Sequence, residues 1–414
     1  MKRMEHMSKQ RKMHAPRGKT EVIMLAMVTA LCMMGDSMLY VVLPLYWQEA
    51  GLDSLWQVGV LLSINRFIRV PLNPLVSKWY EHSGGRSGLL LAVVLAVVST
   101  AAYSLQGFWL WLIMRGLWGL AWTFLRLGAY SLIVEVSDDG NRGHLMGLYN
   151  GLYRLGSLVG MVGGAILAAW GGITVASLVF AVASLLAFFP VLFIRPSFGT
   201  APNRTGREAV SPFHWKKSMA VTMLTGLFVA MCFQGMFTAS LSRLIEYFHP
   251  TILVSGLVVG AAVLAGVVQG VRWLWEPWAA PWFGRLSDRY GRRRLFVMAM
   301  LAASVLFGSA AISLPLSLFL LVLLGIQFSA TILTTVMDTL AADEAARMSN
   351  RSSTMMVYSV MTDLGAALGP LLAFWLEEGI GLPFMYAGIS FSLLLVTFGW
   401  LGKRGVTAHG SQDA

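Results

Sequence analysis

Apolar positions in this chain come in long unbroken runs rather than in alternation, and short polar turns separate the runs. A helix needs about 20 mostly apolar residues to cross a bilayer. The pattern predicts twelve such helices, over residues 21–46, 56–79, 87–106, 108–135, 145–169, 173–194, 217–247, 251–282, 293–313, 316–341, 353–376 and 383–402. Residues 195–216 interrupt the series with Arg195, Pro196, Pro202, Arg204, Arg207, Pro212 and Lys216. That basic, proline-bearing stretch reads as a linker between two sets of six spans. The expected organisation is a disordered basic tail (1–19), a six-helix bundle (20–195), a cytoplasmic linker (196–216), a second six-helix bundle (217–402) and a short tail (403–414).

Composition agrees with a polytopic membrane protein. Hydrophobic residues make up 57% and charged residues 12%, against about 25% charged in a soluble domain. The net charge of +11 invites a nucleic-acid partner. The basic residues sit in short loops between apolar runs, not on one face of a domain, which excludes that partner. Of the 31 Lys and Arg, 24 fall in the tails and in loops on one side. The opposite loops, such as 48–55, 249–250 and 377–382, carry none. Positive residues mark the cytoplasmic face, so both termini are expected inside a cell membrane. Cys32 and Cys232 lie in apolar runs and read as small buried residues rather than a disulfide or a soft-metal pair. The Met and His residues of the first tail read as solvated, not as a metal-binding arm. No complete nucleotide loop, paired-cysteine, His-Glu-x-x-His or Gly-x-Ser-x-Gly pattern occurs, so neither an enzyme nor an ATP-driven machine is expected.

The two sets of spans repeat each other. Asn141-Arg142, Tyr149, Leu155-Gly156 and Gly160 recur as Asn350-Arg351, Tyr358, Leu364-Gly365 and Gly369. Residues 283–294 form a charged island between two apolar runs, with Gly284 and Gly291 flanking Asp288, and with Arg289 and Arg292 beside it. Two glycines there permit a tight chain reversal. The spacing Gly-x-Leu-x-Asp-Arg-x-Gly-Arg-Arg resembles the loop signature of the major facilitator superfamily, and the resemblance covers about residues 20–402. Its first-half counterpart, 73–80, has Asn73 for the glycine and Ser77 for the acid. The resemblance implies an all-α membrane protein with twelve transmembrane helices in two pseudo-symmetric six-helix bundles. It also implies secondary transport by alternating access, with the solute between the halves. Asp288, with Gly284, Arg289, Gly291 and Arg292, would latch the cytoplasmic side by pairing with charges and a helix N-terminus of the other half. Arg115 followed by Gly119 resembles the arginine motif of proton-coupled exporters. The antiporter pattern Gly-x-x-x-Gly-Pro is incomplete at Gly156–Gly160, where Met161 replaces the proline, and complete in the eleventh span at Gly365–Gly369-Pro370. Export of a small organic solute is the first reading. Import on the same fold, or a transport-silent receptor, are the rivals.

Ionisable residues inside spans are costly and point to function. The fourth span carries Trp111, Arg115, Trp118, Trp122 and Arg126 on one stripe. The tenth mirrors it with Gln327, Thr331, Thr334, Thr335 and Asp338. Guanidiniums set among aromatic rings suit a planar or carboxylate-bearing solute. The expected solute contacts are therefore Arg115, Trp118, Trp122, Arg126, Tyr40, Gln327 and Thr331, unless the tryptophans pack and the arginines pair with acids. Trp111 is assigned to packing. Asp36, near mid-membrane, and Asp363 are the expected proton carriers; for Asp36 the alternative is a fixed ion pair with an arginine of its own half. Arg66, Arg69 and Arg154 are expected to close the halves. The family's helix arrangement implies that Asp363 faces Arg66 or Arg69 and that Arg154 faces Glu276. Glu135, Asp338, Arg243 and Glu246 lie near span ends and are expected to reach water, and the Trp273, Trp275, Trp278 and Trp282 cluster reads as an interface belt. The expected partners are a small solute, protons and the bilayer, for a monomer whose energy source is a proton gradient rather than a cofactor.

Overall fold

A computed structural model describes residues 2–137, 141–194, 217–250, 252–254, 257–346, 348 and 351–401, and nearly all of these are helical. The linker 196–216 and the tail 403–414 lie outside the described residues.

The first half contains α1 (Lys2–Val42), α2 (Leu55–Phe67), α3 (Arg69–Ser83), α4 (Gly85–Ala102), α5 (Phe108–Val136), α6 (Arg142–Leu185) and α7 (Phe188–Phe193). The second contains α8 (Lys217–Val229), a π-helical segment (Ala230–Phe237), α9 (Thr238–Phe248), strands β1 (Ile252–Val254) and β2 (Leu257–Val259), and α10 (Ala261–Tyr290). It ends with α11 (Arg292–Ala310), α12 (Leu316–Ala346), α13 (Arg351–Ile380) and α14 (Leu382–Leu401). Among the described residues these group into twelve rods. Helices α2 and α3 make one rod with a break, and α8, the π segment and α9 make another. Helix α6 is two rods, because Gly171 and Gly172 leave helical geometry inside it. Gly172 has φ of 73°, a backbone region open mainly to glycine.

Three local features depart from the apolar runs. Residues expected as a disordered tail continue α1 from Lys2; Lys, Arg, Met and Gln dominate there and favour helix. The eighth span starts at Ala261, not at 251. The stretch before it is rich in β-branched residues and folds into a hairpin with Ile252 opposite Val259, a preference that hydropathy does not register. The second span breaks at Ile68. Pro71 has no N–H to bond the carbonyl of Phe67, and is tolerated only because it falls in the first turn of a new helix.

Close packing within each half uses glycines. A Cβ at Gly156 or Gly160 would overlap the backbone of Ala30 or Met34 on α1. In the second half a Cβ at Gly365 would overlap the carbonyl of Leu227 on α8, and one at Gly369 the backbone of Gly235. With no hydrophobic gain between helices in lipid, such backbone approach is how they bind one another.

The halves touch at the face that lacks basic residues. A Cβ on Gly59 of α2 would lie 2.8 Å from the Pro370 carbonyl oxygen of α13, and one on Gly266 of α10 would lie 2.9 Å from that of Met161 on α6. Ser54 stands at the N-cap of α2 but makes no side-chain capping bond. Glu378 of the other half takes that role, accepting from the backbone N–H of Leu55 (2.5 Å) and Trp56 (3.2 Å).

Candidate functional site

Between the halves lies a cavity of about 580 Å³ lined by α1, α2, α3, α5 and α6 on one side and by the π segment, α9, α10 and α12 on the other. Its construction begins with Asp36. This carboxylate is 5% exposed and lines the cavity. It accepts from the Arg115 guanidinium and from Asn65 Nδ2 (3.3 Å). Arg115 is fully buried, and its Nε donates to the Leu61 carbonyl (2.8 Å). The Leu61 carbonyl and the Asp36 carboxylate meet two of the guanidinium nitrogens, while Nη2 is buried without a partner, so the Asp36 charge is what holds Arg115 in this enclosed place.

The helix break at Ile68 sets Arg66 at the end of α2 and Arg69 at the start of α3, and both line the cavity. The Arg69 guanidinium lies 5.4 Å from the Trp122 ring centroid. On the opposite wall Glu276 sits between two cations: Arg154 Nη1 of the first half is 3.3 Å from its Oε1, and Arg272 Nε is 3.4 Å from its Oε2. Arg154 also lies 4.7 Å over the Trp273 ring. The π-helical turn places Gln234 on the cavity wall, a use that recurs at functional sites.

The expected solute residues divide. Tyr40, Trp122 and Gln327 line the cavity. Arg115 and Trp118 do not: Arg115 is consumed by Asp36 and Trp118 is 1% exposed in the first-half core. The helical stripe is real, yet α1 and α2 cover Arg115, the first-half core encloses Trp118, and Trp111 packs on Tyr103, so only Trp122 reaches the cavity from it. Arg126 is half-exposed and lies outside the lining; it pairs with Asp363 at 3.7 Å, and its Nε donates to Tyr130 Oη at 3.1 Å. Asp363 therefore pairs with Arg126 rather than with Arg66 or Arg69, because the break in the second span turns those two arginines into the cavity. Thr331 is fully buried and accepts from Trp275 Nε1 at 3.2 Å, while Thr334 and Thr335 face the cavity instead.

Other expectations change as well. Trp273 lines the cavity and Trp275 points at Thr331, so only Trp278 and Trp282, both exposed, remain as a belt. Asp338, read as reaching water at a span end, lines the cavity and accepts from Tyr358 Oη at 2.9 Å. The loop signature makes its reversal at Gly291 alone, with φ of 92°, while Gly284 lies within α10. Asp288 bonds Arg292 at 3.0 Å, and Arg292 also reaches Asp343 and the Thr339 carbonyl, all in the second half. Arg289 lies over Tyr290. The expected latch from Asp288 to the first half is not made among the described residues; the halves meet at the opposite face and through the Arg126–Asp363 and Arg154–Glu276 pairs. The uncharged lining residues Tyr153, Ser157 and Gln269 were not singled out from sequence. A lone amide such as Gln269 inside an apolar run is the signal that marks it.

A sequence model described as Major Facilitator Superfamily matches residues 25–279 and 277–413. The chain belongs to the major facilitator superfamily. It is a multi-pass membrane transporter and not an enzyme. It is 24% identical over 391 residues to the multidrug resistance protein MdtG of Klebsiella pneumoniae (strain 342), covering 89% of this chain and 90% of that one. The MdtG of Escherichia coli (strain K12 / DH10B) is 24% identical over 357 residues, covering 82% and 83%. Among solved structures, the nucleoside transporter NupG superposes with a TM-score of 0.72 at 13% identity, over 93% of this chain and 98% of that one. A bacterial homologue of the human lysosomal transporter Spinster gives 0.68 at 15% identity, over 92% and 95%. Within this family fold, the cavity occupies the seam between two related bundles.

Proposed function

We propose that this transporter exports a small organic solute in exchange for protons, with solute and proton using the same cavity. The observation that carries this reading is the Asp36 carboxylate, which opens onto the solute cavity while bonded to the buried Arg115. A proton arriving through the cavity cancels the Asp36 charge and frees Arg115 and Asn65 from it, which changes how α1, α2 and α5 hold together. A ligand shifts a two-state equilibrium only by binding one state better. Asp36 is placed to make the proton such a ligand. The relatives named as multidrug resistance proteins favour export over import.

Everted vesicles with an imposed pH gradient test the direction. An exporter accumulates solute in them and an importer does not. Failure to accumulate any organic solute under either gradient polarity removes the reading.

The halves touch at the face without basic residues, and Glu378 helps to hold them together there. Its carboxylate satisfies two free N–H groups at the positive end of α2, a contact of about 1–2 kcal/mol. Glu378→Ala is expected to raise the population opened at that face by roughly 5- to 30-fold. Distances between spin labels on the 103–107 and 379–382 loops report it; an unchanged distribution contradicts the capping role.

A further inference from the structure

The seam holds more positive charge than its own acids offset, and the surplus is localised. Asp36 is taken by Arg115, Asp363 by Arg126, and Glu276 is shared by Arg154 and Arg272. Asp338 accepts from a tyrosine. Arg66 and Arg69 have no carboxylate within ion-pairing distance among the described residues, and the Nε of each is buried without a hydrogen-bond partner. Both face the cavity, and Arg69 lies against the face of Trp122. Asp36 and Asp363 act on them only from beyond contact, and two guanidiniums at membrane depth with no acid bonded to either are expensive unless something else supplies one.

We infer that the cargo is a planar organic anion, and that Arg66, Arg69 and Trp122 bind it. This deepens the transport reading and rests on it. The oxyanion would be a carboxylate, which matches the guanidinium fork in a way a point charge does not. Trp122 carries the Arg69 guanidinium over its ring and meets Tyr153 edge-on, so a planar body attached to the carboxylate would lie against the cavity side of this Arg69–Trp122 stack while the charge is met. The opposite wall repeats the same elements, with Arg154, Arg272 and Trp273, but Glu276 already fills its anion position. A second carboxylate on the cargo would compete with Glu276 there. Aromatic dicarboxylates should therefore bind better than monocarboxylates, and neutral or cationic rings of equal size should not bind.

The test uses the full chain purified in lipid nanodiscs, at constant ionic strength, with benzoate, the para phthalate (benzene-1,4-dicarboxylate, simply phthalate below), benzamide and benzyltrimethylammonium as probes. Thermal unfolding and tryptophan fluorescence are read together. Benzoate and phthalate are expected to raise Tm saturably, phthalate at lower concentration. Arg69→Gln is expected to weaken phthalate binding at least tenfold, and Arg66→Gln with Arg69→Gln to abolish it. Removing a charge with no bonded acid offsets the loss of the Arg69–Trp122 contact, so both variants should fold, and their ligand-free Tm separates loss of binding from loss of folding. The inference is overturned if benzamide or benzyltrimethylammonium binds as well as benzoate, if the double variant binds phthalate unchanged, or if none of the four probes binds. Vesicle assays separate it from the transport reading. Asp36-dependent proton exchange driven by benzyltrimethylammonium keeps proton-coupled export and removes the anion site. Phthalate that binds but is never moved uphill does the reverse.

Discussion

Asp36→Asn is expected to abolish uphill transport in vesicles with an imposed pH gradient, reducing accumulation to that of vesicles without the protein. The substitution keeps the shape of the side chain but removes both the charge and the site that takes a proton. It also leaves Arg115 buried with no counter-charge. Breaking one partner of a buried pair typically costs about 3–5 kcal/mol, so a fall in Tm should accompany the loss. A second variant separates the two effects. Asp36→Asn with Arg115→Met removes the pair together, which is often neutral or even favourable for stability. It is expected to recover most of the lost Tm and none of the driven transport. A double variant that regains both stability and uphill accumulation would show the pair to be structural, and the proton carrier would then lie elsewhere.

Gly365→Leu is expected to be the most damaging single change to folding. Its side chain has no room, because even a Cβ overlaps the Leu227 carbonyl and approaches the Leu227 Cα to 3.0 Å. Both are backbone atoms of α8, so the helices must separate rather than repack. Overpacking of this kind costs about 1–3 kcal/mol and more where backbone must move. Gly388→Leu on α14 is the matched control: no atom lies within 4 Å of a Cβ there. Its effect should stay within about 0.5 kcal/mol. Yield of monodisperse protein and Tm in detergent measure both. Equal behaviour of the two variants would mean that the α8–α13 contact is not a determinant of folding.

Particular residues show which parts of the site could be read in advance. The apolar runs located most of the rods, since a span must be long and almost uncharged whatever its neighbours are. The same signal misplaced the start of the eighth span, because a hairpin rich in Val, Ile and Leu is as hydrophobic as a helix. The fourth-span stripe correctly put five residues on one face of α5. Periodicity does not say which neighbour covers each turn, and α1 and α2 cover Arg115 while the first-half core encloses Trp118. Arg66 and Arg69 were visible as in-span charges, but their lack of an acid is not a local property. It follows from Arg126 reaching Asp363 first and from the backbone break at Ile68. Trp273 had no signal that distinguished it from Trp278, its neighbour little more than a turn away on the same helix.

Length, hydropathy and the Gly284–Arg294 signature on their own determined the membrane class, the two related halves and the superfamily, because these depend on transfer free energy and on short-range backbone geometry. Which charges are spent on each other and which are left facing the cavity was decided only by the folded chain. An ion pair such as Asp36 with Arg115 joins residues 79 positions apart, and nothing along the chain fixes how near two such groups come until the helices are packed.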